Sequence, residues 1–330
     1  MPGSEDSLVR WLADRTPRPG DGLRLGIGDD MAILERPHSD VLLTSDMLMD
    51  GVHFDSGAHT PEQIGCKALA VNLSDCAAMA ACPRFAMVSL ALPDDWTMER
   101  ARALFLGMEP LAERFNCRIV GGDTNSWSGR LAVDVTILAE PWPGLSVVRR
   151  SGVIAGDAVC VTGRLGGSRM GHHMDFTPRV FEARTLLTTY GPRIHAMMDI
   201  SDGLSTDADR MARASGVGID FDADALATVV SDAAETAAGR DEQSALDHAL
   251  NDGEDFELLF GVAPEALGGS AGNGGTCVAD HHVLNASAAG IGSVAFTVVG
   301  VAVESPGLRL VRAGAAPQPL EPRGWQHFIA

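Results

Sequence analysis

The chain has 330 residues, of which 45% are hydrophobic, 21% charged and 5% aromatic, with a formal net charge of −19 and a pI near 4.8. That length accommodates two domains with a core each, and the composition is that of a folded globular protein. Such a surplus of acid repels phosphate backbones and anionic bilayers alike, which argues against nucleic-acid and membrane-surface partners, and the longest apolar run, Val294–Val303, is too short to span a bilayer.

In chain order, Ser4–Arg15 is predicted as a helix with Leu8, Trp11 and Leu12 on one face, ended by Pro17 and Pro19. Strands at Leu23–Ile27 and Val41–Thr44 follow, and the polar stretch between them suggests a hairpin. Thr60-Pro61-Glu62-Gln63 reads as a capping box with proline in the first turn, opening a helix to about Ala81, before Pro83. On that helix Ala68, Asn72, Asp75 and Met79 share one stripe, so Asp75 is a carboxylate on an apolar face, where a lone charge is costly. A strand at Phe85–Leu92, a helix at Met98–Phe115 and strands at Arg118–Val120 and Leu131–Ala139 complete a ββαβαββ order, which implies a layered α/β domain with a mixed sheet.

Pro141-Trp142-Pro143-Gly144 breaks the pattern and divides the chain into domains 1–143 and 144–330. Beyond it, strands are predicted at Ala158–Val161, Ala196–Ile200, Glu257–Val262, Phe296–Ala302 and Leu308–Val311. Helices are predicted at Thr177–Tyr190, Ser205–Ala214, Asp224–Ala238 and Ser244–Leu250. Gly268–Thr276 reads as a flexible loop. Six cysteines without a C-x-x-C pair, and an N-terminus without a signal sequence, point to reduced core thiols in a cytoplasmic protein. Met197, Met198 and Met211 read as core fillers, and the pairs His172-His173 and His281-His282 as surface loops.

Four apolar runs stop at a small residue and an aspartate: Leu23–Asp30, Val41–Asp46, Arg118–Asp123 and Met197–Asp202. Singly these are ordinary turn or cap pairs; together with Asp75 they gather carboxylates whose crowding a bound cation would relieve. The G-x-G at Gly26–Gly28 runs straight into Asp29-Asp30, which would repel a pyrophosphate, so the dinucleotide fingerprint is excluded. Lys67 is the chain's single lysine and reads as a structural partner of an acidic neighbour. Without a lysine-bearing phosphate loop, phosphate charge would have to be neutralised by ions such as Mg²⁺ on carboxylates.

These residues resemble the thiamine-monophosphate kinases, a branch of the aminoimidazole ribonucleotide synthetase superfamily, from about Leu8 to His327. The resemblance rests on GIGDD at Gly26–Asp30, TSDMLMDGVHF at Thr44–Phe54, KALAVNLSDCAAMAA at Lys67–Ala81, GGDT at Gly121–Thr124, DISDGL at Asp199–Leu204, GEDFELLF at Gly253–Phe260 and RGWQHF at Arg323–Phe328. It implies a two-domain α/β fold whose N-terminal mixed sheet pairs in a homodimer, with ATP near the interface. It also implies ATP-dependent conversion of thiamine monophosphate to thiamine diphosphate. Asp30, Asp46, Asp75, Asp123 and Asp199 match positions that hold several Mg²⁺ ions, beside Thr44, Ser45 and Asp202. Gly122, Asp123, Arg150 and Ser201 match ATP contacts, and His53, Glu254 and Trp325 match substrate contacts. No general base is implied. The segment between Gly167 and Pro178 is shorter than the family's, and Ala80 stands where glycine is common. A sibling enzyme with another acceptor, or a non-catalytic nucleotide and metal sensor, are the alternatives.

Overall fold

The computed structural model describes residues 23–25, 29–34, 40–268, 281–284 and 293–325. The predicted helix Ser4–Arg15, the glycines 26–28, the glycine-rich stretch after Gly268, Cys277 and the last residues of RGWQHF lie outside the described residues.

The first half forms β1 (Leu23–Leu25), β2 (Ala32–Leu34), β3 (Val41–Met49), α1 (Pro61–Ala78), β4 (Ala81–Pro93), α2 (Met98–Arg114), β5 (Arg118–Trp127) and β6 (Ala132–Pro141). Its six strands lie in the order β1-β2-β3-β6-β4-β5, with β4 and β5 parallel and the rest antiparallel. The predicted hairpin is corrected: β1 pairs with β2, not β3, because three residues, Ala32–Leu34, form an intervening strand too short to show a period.

Thr60 caps α1, its hydroxyl taking the Gln63 N–H while the Gln63 side chain takes that of Thr60. The helix stops at Ala78, short of Ala81, where Ala80 takes φ +49° and turns the chain straight into β4. Gly65 lets α2 cross closely, since a Cβ there would lie 1.9 Å from the Leu104 carbonyl oxygen.

The second half contains β7 (Ala158–Thr162), α3 (Val180–Tyr190), β8 (Ile194–Asp199), α4 (Leu204–Ser215), β9 (Gly218–Asp222), α5 (Ala223–Thr228), α6 (Asp232–Ala238), α7 (Ala245–Asn251), β10 (Leu258–Val262), β11 (His281–Leu284), β12 (Val294–Val303), β13 (Gly307–Val311) and β14 (Gln318–Pro319). The sheet order is β14-β13-β9-β12-β7-β10-β8, with β11 also on β12. The single helix predicted over Asp224–Ala238 is two, capped separately by Asp222 and Ser231. The surface-loop reading of the histidine pairs is also corrected. His173 is buried with Nδ1 2.9 Å from the Ser168 carbonyl oxygen, and His282 lies on β11 with its ring stacked on Phe296 at 5.0 Å.

Strand alternation divides the second sheet between two cores. Met197 and Phe260 join a core with α1, α3 and the first sheet, whereas Met198 and Leu259 join another with α4 and α5. Helix α1 is therefore sandwiched between the two sheets and is buried almost throughout from Ile64 onward. The other face of the first sheet has no such cover among the described residues: register aligns Ser45, Thr136 and Met87 in one row and Met47, Asp134, Ser89 and Asp123 in the next.

Candidate active site

Strand β3 runs beyond its pairing with β2 and lays Thr44 and Asp46 against α1. The Thr44 hydroxyl donates to the Asp75 carboxylate. Asp46 N–H donates to Asn72 Oδ1 at 3.1 Å, and Asn72 Nδ2 in turn donates to the Ala68 carbonyl oxygen. By the same alternation Ser45 faces the opposite side, its hydroxyl on Asp134 and Thr136 at 3.0 and 2.9 Å.

Strand β8 ends at the buried Asp199, which accepts from the hydroxyl of Ser74, the residue before Asp75 on α1. From before β2, Asp30 arrives as a partner of Arg150 Nη2 at 2.8 Å, while Asp29 lies near the Arg150 backbone N–H. Oxygens of Asp30, Asp75 and Asp199 all lie within 4.8 Å of one another. Burial pushes the Asp75 and Asp199 carboxyls well above the usual range, and the neighbouring aspartates push them further. Asp46 is raised to about 6, again chiefly by burial.

This arrangement suits a hard divalent cation. The donors are all oxygens, and Asp30 Oδ2 is buried with no hydrogen-bond partner among the described residues.

Past Asp199 the chain turns through Ser201 and Asp202 into α4, which starts at Gly203 with no side-chain cap. The turn is held by the buried Asp207, whose Oδ2 accepts from Ser201 N–H at 3.0 Å and Asp202 N–H at 2.9 Å. Burial and the Asp202 charge raise the Asp207 carboxyl to about 7. Asp202 itself is paired with Arg210.

A cavity of ≈ 280 Å³ opens onto this cluster, lined by Asp46, Asp75, Asp199, Ser201 and Asp202, and also by His53, Lys67, Arg169, Glu254, Phe256 and Trp325. Lys67 is buried on α1 and donates to Glu254 Oε1 at 2.5 Å and to the His53 carbonyl oxygen at 2.6 Å, so the single lysine does pair with an acid. Glu254 and Phe256 both take positive φ, +54° and +50°, a strained backbone that places their side chains in the cavity wall. Trp325 N–H donates to the Asp202 carbonyl oxygen, which ties the last described residue to the acidic turn.

Not every sequence-derived candidate lines the cavity: Asp30 and Thr44 touch the carboxylate cluster from behind it, and Ser45 faces the other side of β3. Gly122 and Asp123 lie on the exposed edge strand β5, where Asp123 accepts from Thr124 N–H and Asn125 Nδ2 and belongs to the uncovered face. Arg150 borders the cluster through Asp29 and Asp30 but does not line the cavity. Conversely, sequence reasoning missed Asp207, Asn72, Ser74 and Arg169. Asp207 reads as an ordinary first-turn acid, and only the fold-back of its preceding turn buries it.

Residues 28–140 match the family model described as AIR synthase related protein, N-terminal domain, and residues 156–312 match the corresponding C-terminal domain. Fold and carboxylate site thus define a two-domain protein of the AIR synthase-related class. The chain is 40% identical to thiamine-monophosphate kinase of Rhodopirellula baltica, covering 79% of this chain and 83% of that protein. It is 33% identical to the Bacillus subtilis counterpart, covering 79% and 84%. A solved structure, AaThiL complexed with AMPPCP and TMP, superposes with a TM-score of 0.78 at 27% identity over 98% of this chain and 97% of that one. The chain belongs to the thiamine-monophosphate kinase family.

Proposed function

We propose that the chain transfers the γ-phosphoryl group of ATP to thiamine monophosphate, giving thiamine diphosphate and ADP. The observation that carries this is the convergence of Asp30, Asp75 and Asp199 beside one cavity that also holds an aromatic and a carboxylate suited to a cationic heteroaromatic ring. Family membership and the ligands named for the AaThiL structure support it.

Asp30, Asp46, Asp75 and Asp199, with Asp202, Asp123, Thr44 and the Ser45 backbone, would hold Mg²⁺ ions. When bound, these supply the positive charge that a triphosphate needs and that a one-lysine chain lacks. Asp207 presents Ser201 and Asp202 in a fixed turn, and Arg150, Ser201 and Gly122 meet the nucleotide. Glu254, balanced by Lys67, meets the acceptor with Trp325 and His53. A phosphate acceptor is already ionised near neutral pH, so alignment with the γ-phosphorus suffices and no side chain need remove a proton.

Two copies pair through the uncovered face and edge of the first sheet, where Met47, Met87 and Val120 are 57%, 52% and 60% exposed. Asp123 and Gly122 lie on that edge, which puts their nucleotide contacts at the interface. The domain boundary falls at Pro141–Gly144. We place the reaction in the cytoplasm; among the described residues no helix is long and apolar enough to cross a membrane.

The test is incubation of the purified chain with Mg²⁺, ATP and thiamine monophosphate, with chromatography of the products. Thiamine diphosphate and ADP in equal amounts are expected. ATP binding without thiamine diphosphate formation overturns the reading.

A further inference from the structure

Between β7 and α3, Ser168–Met170 forms a single 3₁₀ turn. It is pinned to the segment that carries Glu254. Gly166 N–H donates to Asp255 Oδ1 at 2.8 Å, Gly167 N–H to Asp252 Oδ2 at 2.7 Å, and the Ser168 hydroxyl to the Gly253 carbonyl oxygen. Arg169 is thus presented to the cavity from a fixed base. Its guanidinium carbon lies 5.6 Å from the centroid of the Trp325 ring.

Arg169 has no carboxylate partner among the described residues, in a chain with 44 acidic side chains against 25 of lysine and arginine. The other cation lining the cavity, Lys67, is held by Glu254 and the His53 carbonyl oxygen. Burial lowers the Lys67 ammonium, Glu254 partly restores it, and the Arg169 charge lowers it again, so the two cations share one space. A guanidinium left without a carboxylate beside so many aspartates is a receptor for an anion that enters from outside, and its planar fork matches phosphate oxygens. The ring it covers is the same surface on which a cationic heteroaromatic ring would stack.

We propose that Arg169 is the anchor for the acceptor's phosphate. In the empty cavity it rests on Trp325. When the acceptor enters, its cationic ring replaces the guanidinium on Trp325, and Arg169 turns to the phosphate oxygens that do not attack. Arg169 is a positioning and specificity residue, and its role rests on the kinase reading above. It makes the cavity favour a phosphorylated acceptor over the same molecule without phosphate.

Calorimetric titration of thiamine and of thiamine monophosphate into the wild type, Arg169→Gln and Arg169→Lys tests this. Arg169→Gln is expected to lose about 10-fold or more in affinity for thiamine monophosphate, the scale of a lost charge-assisted hydrogen bond. Its affinity for thiamine holds or rises because Trp325 is uncovered, and Arg169→Lys recovers part of the loss. Steady-state rates should show a raised KM for thiamine monophosphate and an unchanged KM for ATP. Equal weakening of both ligands, as a merely structural role would give, overturns the proposal, as does no change in either. A wild type that binds thiamine monophosphate but makes no product overturns the kinase reading instead, and the affinity ratio still decides what Arg169 does.

Discussion

Asp75 lies where α1 faces β3, with Asp46, Asp199 and Asp30 around it, and it accepts a hydrogen bond from the Thr44 hydroxyl. Carboxyls raised in the folded state hold protons that the unfolded chain releases. Asp46 moves from 3.8 to about 6, and Asp29 and Asp207 to about 7. Between roughly pH 4 and pH 7 the folded protein therefore binds more protons than the unfolded one, and stability falls as pH rises through that window. The melting temperature of the metal-free protein should drop across it, and added Mg²⁺ should restore more at the upper end than at the lower. A melting temperature that climbs through the window would contradict the crowding. Asp75→Asn should raise the stability of the metal-free protein at neutral pH while lowering turnover on the order of 100-fold or more. Asp75 could be singled out from sequence because a charge on an apolar helix stripe is conspicuous. Asp207 could not, since its significance comes from a turn that closes over it.

Helix α1 and strand β5 show why some elements are readable and others not. A capping box and a proline announce the start of α1, but its alanine-rich end contains no breaker, and the stop comes from Ala80 in a left-handed conformation. Between α5 and α6 the Val229-Val230 pair carries no turn signal, although Val230 pairs with Leu165 there. Strands of two to four residues, such as β2, β11 and β14, are below the length at which alternation can be seen. On β5, Gly122 has a structural reason to be glycine whatever it does for a nucleotide: at φ +151°, a Cβ would lie 1.7 Å from the Val88 carbonyl oxygen. Gly122→Ala must push β5 off β4, and urea unfolding should show a loss of about 2–4 kcal/mol. Unchanged stability would mean that the two strands separate at little cost.

At the scale of the whole molecule, the family resemblance conveyed the two-domain α/β architecture because its motifs span both halves, from β3 and α1 through β5 to the ends of β8 and β10. What it could not convey is which face each aspartate takes, since that depends on register across β3, β6, β4 and β5. Asp46 and Asp123 lie on opposite faces of one sheet. If a second copy covers the outer face, Met87→Glu combined with Val120→Lys should convert a dimer into a monomer in sedimentation velocity, with loss of ATP affinity through Asp123. A wild type that sediments as a monomer would remove that interface.

The position of α1 between the two sheets bears on how the chain is made. The helix emerges from the ribosome with the first sheet, but the strands that cover its other side, β8 and β10, are translated far later. Through that interval a long apolar flank stands open on the nascent chain, and neither half can finish its core alone. Synthesis of this protein is thus a period of exposure to aggregation that ends only when the second sheet closes on a helix made long before it.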